Sequence, residues 1–366
     1  MTGSHLILRP ATAQEVYYVH ELNAAAWAGA LDVETYHDRE QTLASTPLTR
    51  NGGLSTWVLV DPADDPHKIL SSCETTKKQA LISTPRINGD TVSTVRQVTA
   101  HGVGSVFTPE EHRGKGYAGT MLQLLAESLK RGNADGFSVL YSDIGKKFYA
   151  RFGWQPHQSS HLEFPAIEEG TVTGIKFLRS NDVPALCVKD IAAVKEKLSR
   201  PPLDLRTKVA FVPDYQTFEW HWSREEFVAP VLRKHIDIKP AAKGAITADG
   251  KRWMIWNRDF GKTATQLYII RYVNLSRSLE ETKEEKQIAN LFLAAGREAH
   301  RWGLQKVIMW NPDEICIRAA RRVAGSTVQV VDRESDSIAS LMMHQPKQGS
   351  SPQDVEWIAN EKFAWA

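Results

Sequence analysis

One short segment of the 366-residue chain carries residue types suited to holding a phosphate group. A strand-like run ends at Thr108, Gly114 and Gly116 follow it, and a helical pattern begins directly after them. Glycine allows a backbone with positive φ, and the first N–H groups of a helix lack partners within that helix. The helix dipole favours an anion at the same place. Because Arg113 and Lys115 add positive charge, the segment predicts a cradle for a phosphate or pyrophosphate.

Two common nucleotide-binding motifs do not fit this cradle. The Gly-Lys-Ser/Thr ending of a Walker loop is missing, and so are the third glycine and the downstream acidic residue of the dinucleotide fingerprint. A plain strand–turn–helix with a solvated basic turn is the alternative explanation of a bare Gly-x-Gly. The residues around the two glycines therefore have to decide between these explanations.

Those surrounding residues resemble the acyl-CoA loop of the GNAT acyltransferase superfamily. The signature of that family is Arg/Gln-x-x-Gly-x-Gly/Ala, and the run Arg113-Gly114-Lys115-Gly116-Tyr117-Ala118 matches it completely. The resemblance implies that acetyl-CoA is the co-substrate and that backbone N–H groups across this run hold its pyrophosphate. It also implies that the strand end at Val106, Phe107 and Thr108 pairs with the pantetheine arm.

A second block resembles the same family in the expected order. The run Phe148-Tyr149-Ala150-Arg151-Phe152-Gly153-Trp154 is similar to the family's Phe-Tyr-x-x-x-Gly-Phe/Tyr/Trp block. A tyrosine has a pKa of about 10, close to that of a thiol, so Tyr149 is a candidate acid for protonating the departing CoA thiolate; packing alone is the alternative. Residues 144–152 are expected to form a short helix. Asp143, where many members carry Asn, is a candidate N-cap for that helix and a candidate CoA contact.

More of the chain resembles one fungal branch of the superfamily, the lysine acetyltransferases. The similar runs are residues 74–78, 105–117, 140–145 and 360–365. This resemblance implies an enzyme that transfers acetyl from acetyl-CoA to the side-chain amine of free L-lysine. Alternative substrates are an amine of a secondary metabolite or drug, or a protein lysine or N-terminus. A non-catalytic acyl-CoA-binding sensor is a further alternative.

An amine must lose a proton before it attacks a thioester, and the lysine side chain has a pKa of about 10.4. The reaction therefore needs a base. The candidates are His101 on the long strand, Glu74 on an earlier strand and Glu21 on the first helix. A histidine that only packs in the core or faces solvent is an equal alternative for His101.

The chain end offers a further candidate base. Residues 357–366 are apolar and aromatic up to the last residue, so this end is expected to dock. In the N-myristoyltransferases, two-lobed relatives within the superfamily, the terminal carboxylate is the base, which makes the carboxylate of Ala366 a candidate here. The alternative is that this end only fills the second lobe. The charged stretch at 219–226 is expected to be an amphipathic surface helix, with a substrate-binding stretch between the lobes as the alternative.

The elements that position these residues follow from hydrophobic periodicity. The first half predicts a helical region at 11–45, three strands with a turn at 88–90, a helix, a strand and a short helix. The apolar face expected for the helix after Gly116 is Ala118, Met121, Leu122, Leu125 and Leu129. The second half repeats strands, helix, strand, helix and, at 337–343, a strand, less clearly. This order predicts an α/β GNAT fold, a mixed and mostly antiparallel sheet with flanking helices, plus a second α/β lobe that is a candidate degenerate GNAT-like repeat. The expected division is residues 1–165 for the acetyl-CoA-binding catalytic domain and 175–366 for a lobe contributing to the substrate pocket.

Composition narrows the class of protein further. Lys and Arg number 45 and Asp and Glu 43, a net charge of +2 that predicts neither a nucleic-acid nor a membrane partner. No apolar run is long enough for a transmembrane helix, and the N-terminus lacks the pattern of a signal peptide. The three cysteines, Cys73, Cys187 and Cys316, are too few and too scattered for a disulfide framework or a metal site. We therefore expect a cytoplasmic enzyme without a metal, and the sequence leaves its oligomeric state open.

Overall fold

The computed structural model describes residues 5–84, 94–200, 206–233, 241–261, 264–276, 280–345 and 354–365. The turn predicted at 88–90 lies outside these ranges. The helices are α1 (Ala13–Trp27), α2 (Val33–Ala44), α3 (Tyr117–Gly132), α4 (Val183–Ser199), α5 (Tyr215–Leu232), α6 (Glu281–Arg301) and α7 (Glu314–Ala324). The strands in the first half are β1 (Ile7–Pro10), β2 (Leu54–Val60), β3 (Ser71–Thr84), β4 (Thr94–Phe107), β5 (Phe137–Ser142), β6 (Gln155–Pro156) and β7 (Ser160–Pro165). Those in the second half are β8 (Ile175–Leu178), β9 (Thr207–Phe211), β10 (Gly244–Thr247), β11 (Arg252–Phe260), β12 (Thr265–Asn274), β13 (Lys306–Trp310), β14 (Gln329–Asp332), β15 (Ile338–Met343) and β16 (Val355–Trp357).

The helical region predicted at 11–45 is two helices rather than one. Thr12 caps α1 in a capping box, because its hydroxyl accepts from the Glu15 N–H at 3.3 Å and the Glu15 carboxylate accepts from the Thr12 N–H at 2.8 Å. The chain then turns at Gly29, where φ is +65°. Asp32 caps α2 by accepting from the Thr35 N–H at 2.8 Å. The break between the helices allows both to pack over the same end of the first sheet.

The two sheets have the same strand order. The first runs β1-β2-β3-β4-β5-β15-β6, with β9 added beside β3 and β16 beside β9; the second, read in the corresponding direction, runs β8-β10-β11-β12-β13-β7-β14. The fourth and fifth strands of this order are parallel in each sheet: β4 and β5 in the first, and β12 and β13 in the second. The other neighbours along this order are antiparallel. The predicted mixed, mostly antiparallel sheet with flanking helices and a second α/β lobe is confirmed.

The halves of the chain exchange strands between the sheets. β7, which the first half supplies, pairs with β13 and β14 of the second sheet, while β15 from the second half pairs with β5 and β6 of the first. The division at residues 1–165 and 175–366 stays a prediction. The first sheet holds three strands of the second half, β9, β15 and β16, and the second sheet holds β7 of the first half. The strand predicted near 337–343 is present, but it does not follow β14 in the second sheet.

The apolar faces of the helices cover the sheets. α3 buries Met121, Leu122, Leu125, Ala126 and Leu129 against the first sheet, which is close to the predicted face. α6 buries its apolar face against the second sheet, and α5 lies between β11 and α2. The helix α5 thus brings residues of the second half to the first sheet. Among the described helices, none has the length and apolarity needed to cross a bilayer.

The chain end docks between the lobes. Glu361 accepts from the Tyr272 N–H at 2.8 Å, and Lys78 Nζ donates to the Ala364 carbonyl at 2.9 Å. His221 Nε2 lies 3.2 Å from the Phe363 carbonyl. Trp365 consequently reaches the first half of the chain, and Ala366 lies outside the described residues.

Candidate active site

The predicted phosphate cradle has an open backbone. Gly114 and Gly116 have φ of +76° and +83°, and a Cβ placed on either glycine would meet nothing within 4 Å. Gly116 is the N-cap of α3, with no side-chain cap on the helix. Arg113 Nε donates to the Thr108 carbonyl at 3.1 Å, which ties the loop to the end of β4. The free N–H groups and the open approach fit a pyrophosphate.

A bulge opens the sheet beside this cradle. The register of β4 against β5 ends at the pair Val103–Leu140. On the other side of β4, Gly104 lies opposite Glu74, and Phe107 lies opposite Ser72. Between these pairs, Ser105 and Val106 of β4 face the single residue Cys73 of β3, which makes a β-bulge. Ser105 in the bulge has φ of +51°. The ends of β4 and β5 therefore diverge, as the family resemblance led us to expect.

A cavity of about 320 Å³ lies at this divergence and is lined by both halves of the chain. The first half contributes residues of α1, α2, β3, β4, β5 and the 3-10 turn at Tyr149–Phe152. The second half contributes Trp220 and Arg224 of α5, and Trp365 of the chain end. The stretch 219–226 is thus no surface helix, because α5 buries Trp220 and carries Arg224 into the cavity.

The structure brings together four of the predicted site residues, since Glu74, Val106, Asp143 and Tyr149 all line the cavity. Phe107 lies just beyond it, with its ring 5.8 Å from that of Trp27. The ring of Tyr117 packs edge-on against His112 at 6.0 Å. Lys115 is exposed on the loop. The CoA-loop residues and the cavity are therefore neighbours along one strand end.

The prediction of a short helix at 144–152 is wrong. The chain forms only the 3-10 turn at Tyr149–Phe152. The Ser142 hydroxyl accepts from the Ile144 N–H at 3.2 Å and donates to the Gly145 carbonyl at 2.7 Å, and Gly145 has φ of +78°. This local turn removes the helix that Asp143 was expected to cap, and the Asp143 carboxylate accepts from the Ser337 N–H at 2.9 Å instead.

Tyr149 lies in a setting that keeps its hydroxyl protonated. Its ring packs edge-on against Phe148 at 5.1 Å. Burial, together with the negative charge of Asp143, raises the pKa of Tyr149 to about 12. A phenol in this state can donate a proton to a nearby anion at neutral pH.

Glu74 lies at the centre of a polar network in the same cavity. Its carboxylate accepts from the Ser105 hydroxyl at 2.7 Å and from the Thr56 hydroxyl at 3.4 Å, and it lies 3.7 Å from His20 Nε2. Burial alone would raise the pKa of Glu74. The hydrogen bonds and charge from His20, with those from Ser105 and Thr56, outweigh burial and hold the pKa below its usual value. Glu74 is therefore an ionised carboxylate facing the cavity.

The sequence analysis missed the histidine beside Glu74. The ring of His20 on α1 lies 5.6 Å from that of His37 and 6.3 Å from that of Tyr36, both on α2. His20 is buried although it is polar. The signal available in the sequence was a polar residue, His20, placed next to Val19 on the apolar face of a predicted helix.

The other predicted bases lie elsewhere. His101 does not line the cavity; its ring lies 6.2 Å from His344, near the far end of α3. Burial lowers the pKa of His101 to about 4, and the charges of His344 and Lys77 lower it further. Glu21 is exposed on α1. Ala366 lies outside the described residues, next to Trp365.

Two arginines also face the cavity. Arg39 Nε donates to Glu40 Oε1 at 2.8 Å, and its Nη2 donates to the Trp27 carbonyl at 3.3 Å. The guanidinium carbon of Arg224 lies 5.7 Å from the Trp365 ring centroid. The cavity therefore combines carboxylates, guanidinium groups and a tyrosine hydroxyl within an aromatic wall. The described residues contain no cluster of His, Cys, Asp and Glu that could hold a metal ion.

Comparison with known families agrees with this geometry. Residues 161–366 match the family described as "LYC1 GNAT-like C-terminal domain", and residues 84–157 match "Acetyltransferase (GNAT) domain". A "Lysine acetyltransferase" of Yarrowia lipolytica is 25% identical over 337 residues, which cover 78% of this chain and 79% of that protein. An uncharacterized protein of Saccharomyces cerevisiae is 26% identical over 393 residues, which cover 95% of this chain and 94% of that protein.

Solved structures share the fold at low sequence identity. A GCN5-related N-acetyltransferase from Kribbella flavida is 14% identical with a TM-score of 0.56, and the match covers 92% of this chain and 70% of that one. Saccharomyces cerevisiae N-myristoyltransferase is 9% identical with a TM-score of 0.52, and the match covers 98% and 85%. The first family covers more than half of the chain, so this protein belongs to the LYC1 GNAT-like family and is a GNAT-type N-acetyltransferase.

Proposed function

We propose that this enzyme transfers the acetyl group of acetyl-CoA to the side-chain amine of free L-lysine. One observation carries the proposal: an ionised, hydrogen-bonded Glu74 and a protonated Tyr149 line a single cavity at the diverging ends of β4 and β5. The name of the Yarrowia lipolytica relative supports lysine as the substrate. The cavity suits a small molecule better than an extended peptide, because α5 and the chain end cover it.

The loop and the strand end would bind the co-substrate. Acetyl-CoA supplies an acetyl group activated as a thioester. The N–H groups of residues 114–118 would hold its pyrophosphate, aided by the positive end of α3. The Arg113 N–H is not among these donors, because it already donates to the Glu110 carbonyl at 3.1 Å. The backbone N–H groups of β4 near Phe107 would polarise the acetyl carbonyl.

Three proton transfers accompany the change of bonds. Glu74, with His20 beside it, would take a proton from the lysine ammonium so that its nitrogen lone pair becomes available, and would pass this proton on to solvent. The new bond joins this nitrogen to the acetyl carbon, the bond from the acetyl carbon to sulfur breaks, and the nitrogen loses its second proton to solvent to become the amide. Tyr149 would give its phenolic proton to the departing thiolate and regain one from solvent. The terminal carboxylate of Ala366 stays an alternative base.

The experiment is an acetyl-transfer assay on the full chain. Acetyl-CoA is incubated with a panel of amines, free L-lysine first, and thiol release is followed together with the product mass. We expect one acetyl group on the lysine side-chain nitrogen, with Glu74→Gln and Tyr149→Phe each lowering kcat by about 10²-fold or more. Thiol release with other amines and none with lysine would refute the proposal that free L-lysine is the substrate. Acetyl-CoA binding without any release would favour a sensor.

A further inference from the structure

We propose that Arg224 binds the substrate's carboxylate and makes the enzyme select free amino acids over amines that lack this group. The inference rests on the proposed function and deepens it, because the amine alone would not require a cation in the cavity. Through Arg224 on α5, the second half of the chain would determine the substrate selectivity of the enzyme.

The guanidinium of Arg224 lacks a partner of its own. Within the described part of the chain it makes no hydrogen bond and no ion pair, although it lines the cavity. Its described contact is with the ring of Trp365, whose centroid lies 5.7 Å away. Burial lowers the pKa of Arg224, and the charge of Arg39 lowers it further. A cation held in this way gains free energy from an incoming anion.

The neighbouring carboxylates are already engaged. Glu225 accepts from Arg258 Nη1 at 2.7 Å and from Lys243 Nζ at 3.2 Å, and Glu226 pairs with the same Lys243 at 2.6 Å. Glu40 pairs with Arg39. Glu225 and Glu226 are therefore committed to other cations. The charges of Asp259 and Glu40 do act on Arg224, but among the described residues neither carboxylate forms an ion pair with its guanidinium, which leaves that group open to a direct partner.

The remaining charges in the cavity complete the match to a zwitterion. Glu74 and its partner His20 lie on α1 and β3, whereas Arg224 reaches the cavity from α5. Free L-lysine carries an ammonium group at its side-chain end and a carboxylate, beside an α-ammonium, at the other end. Its side-chain amine would approach Glu74 and Tyr149 while its carboxylate met the two parallel N–H donors of the guanidinium, a geometry that arginine provides and lysine does not.

The test compares L-lysine with cadaverine, which has the same amine on a chain without the carboxylate. The wild-type enzyme should prefer L-lysine in kcat/KM by about 10²-fold, a factor typical of a charged hydrogen-bond pair. Arg224→Gln should lower kcat/KM for L-lysine by about 10²-fold, mainly through KM, and leave cadaverine nearly unchanged. Arg224→Lys should recover part of the loss. Arg233→Gln, at the end of the same helix, should alter neither substrate.

The outcomes separate the inference from the function on which it rests. Equal use of L-lysine and cadaverine by the wild type would overturn the role of Arg224 and leave acetyl transfer intact. An equal loss for both substrates in Arg224→Gln would also overturn it, since the arginine would then hold the chain's own terminal carboxylate or the fold. Thermal unfolding of each variant checks the fold. Absence of acetylation of any amine would refute the proposed function as well.

Discussion

The Ser105 hydroxyl donates a 2.7 Å hydrogen bond to the Glu74 carboxylate from a backbone with φ of +51°. Positive φ is uncommon for a residue with a side chain and costs of the order of 1–2 kcal/mol. The bulge in β4 therefore combines two effects at one residue: it opens the sheet for the co-substrate and directs a donor at the candidate base. This pairing makes the role of Glu74 accessible to a test that spares Glu74 itself.

Replacing Ser105 should shift the pH dependence of the reaction. The hydrogen bond from Ser105 lowers the pKa of Glu74, so its loss raises that pKa. Because the base must be deprotonated to act, the acidic limb of kcat/KM should move to higher pH in both Ser105→Gly and Ser105→Ala. Glycine relieves the positive φ, whereas alanine keeps the strain of the wild-type serine, so the alanine variant should unfold more easily than the glycine variant. An unmoved acidic limb in both variants would argue against Glu74 as the base.

Tyr149→Phe should remove the candidate acid without disturbing co-substrate binding. The ring stays in its packed position, and only the hydroxyl is lost, so kcat should fall by about 10²-fold while the Kd for acetyl-CoA changes little. Tyr141→Phe is the matched control, because this tyrosine is buried and lines the same cavity. Comparable losses in the two variants would contradict the specific role given to Tyr149.

Gly116→Ala should weaken acetyl-CoA binding. A Cβ at this position meets no atom within 4 Å, so the effect would come from the positive φ of +83° rather than from a clash. An L-residue there costs about 1–2 kcal/mol or turns the N–H groups away from the cradle, which predicts a KM for acetyl-CoA raised by about tenfold. Gly132→Ala, at the other end of α3 and equally free of close contacts, should leave this KM unchanged.

Lys78→Met should flatten the dependence of stability on pH. Burial lowers the pKa of Lys78 to about 7 from its ordinary value of 10.5. Between these values the unfolded chain binds more protons than the folded one, so the free energy of unfolding rises with pH, by up to about 1.4 kcal/mol per pH unit from this group. Urea unfolding from pH 6.5 to 9.5 should show a smaller rise in Lys78→Met. The control is Lys77→Met, because Lys77 is the exposed neighbour of Lys78. This variant should keep the wild-type slope of the free energy of unfolding against pH.

Local features of the site followed from the sequence, and features made by packing did not. The cradle could be predicted because its glycines and Arg113 are contiguous in the chain. His20 and Arg39 reach the cavity only because α1 and α2 fold over the end of the first sheet, and no spacing in the sequence relates them to Glu74. The helix predicted at 144–152 failed for another reason: the side-chain hydrogen bonds of Ser142 form a turn that competes with the helical pattern of Phe148 and Phe152.

The fold could be predicted at the level of elements and their class. The mostly apolar run at residues 337–343 predicts a strand, but such a run does not say which sheet receives it. The choice of the first sheet depends on the pairing of Leu341 with Val139 and its neighbours, a contact between residues far apart in the chain. Such contacts depend on the whole assembly, so the exchange of β7 and β15 could not be read from either segment alone.

The exchanged strands also determine the order in which the protein can fold during its synthesis. The edge of β5 has no β15 to cover it until the ribosome has delivered nearly the whole chain, so the nascent first half carries an open strand edge, the kind of surface that invites aggregation. A break in the gene between the two halves would leave the first product without β9, β15 and β16 and the second product without β7. The predicted CoA loop and the arginine on α5 therefore depend on one continuous chain.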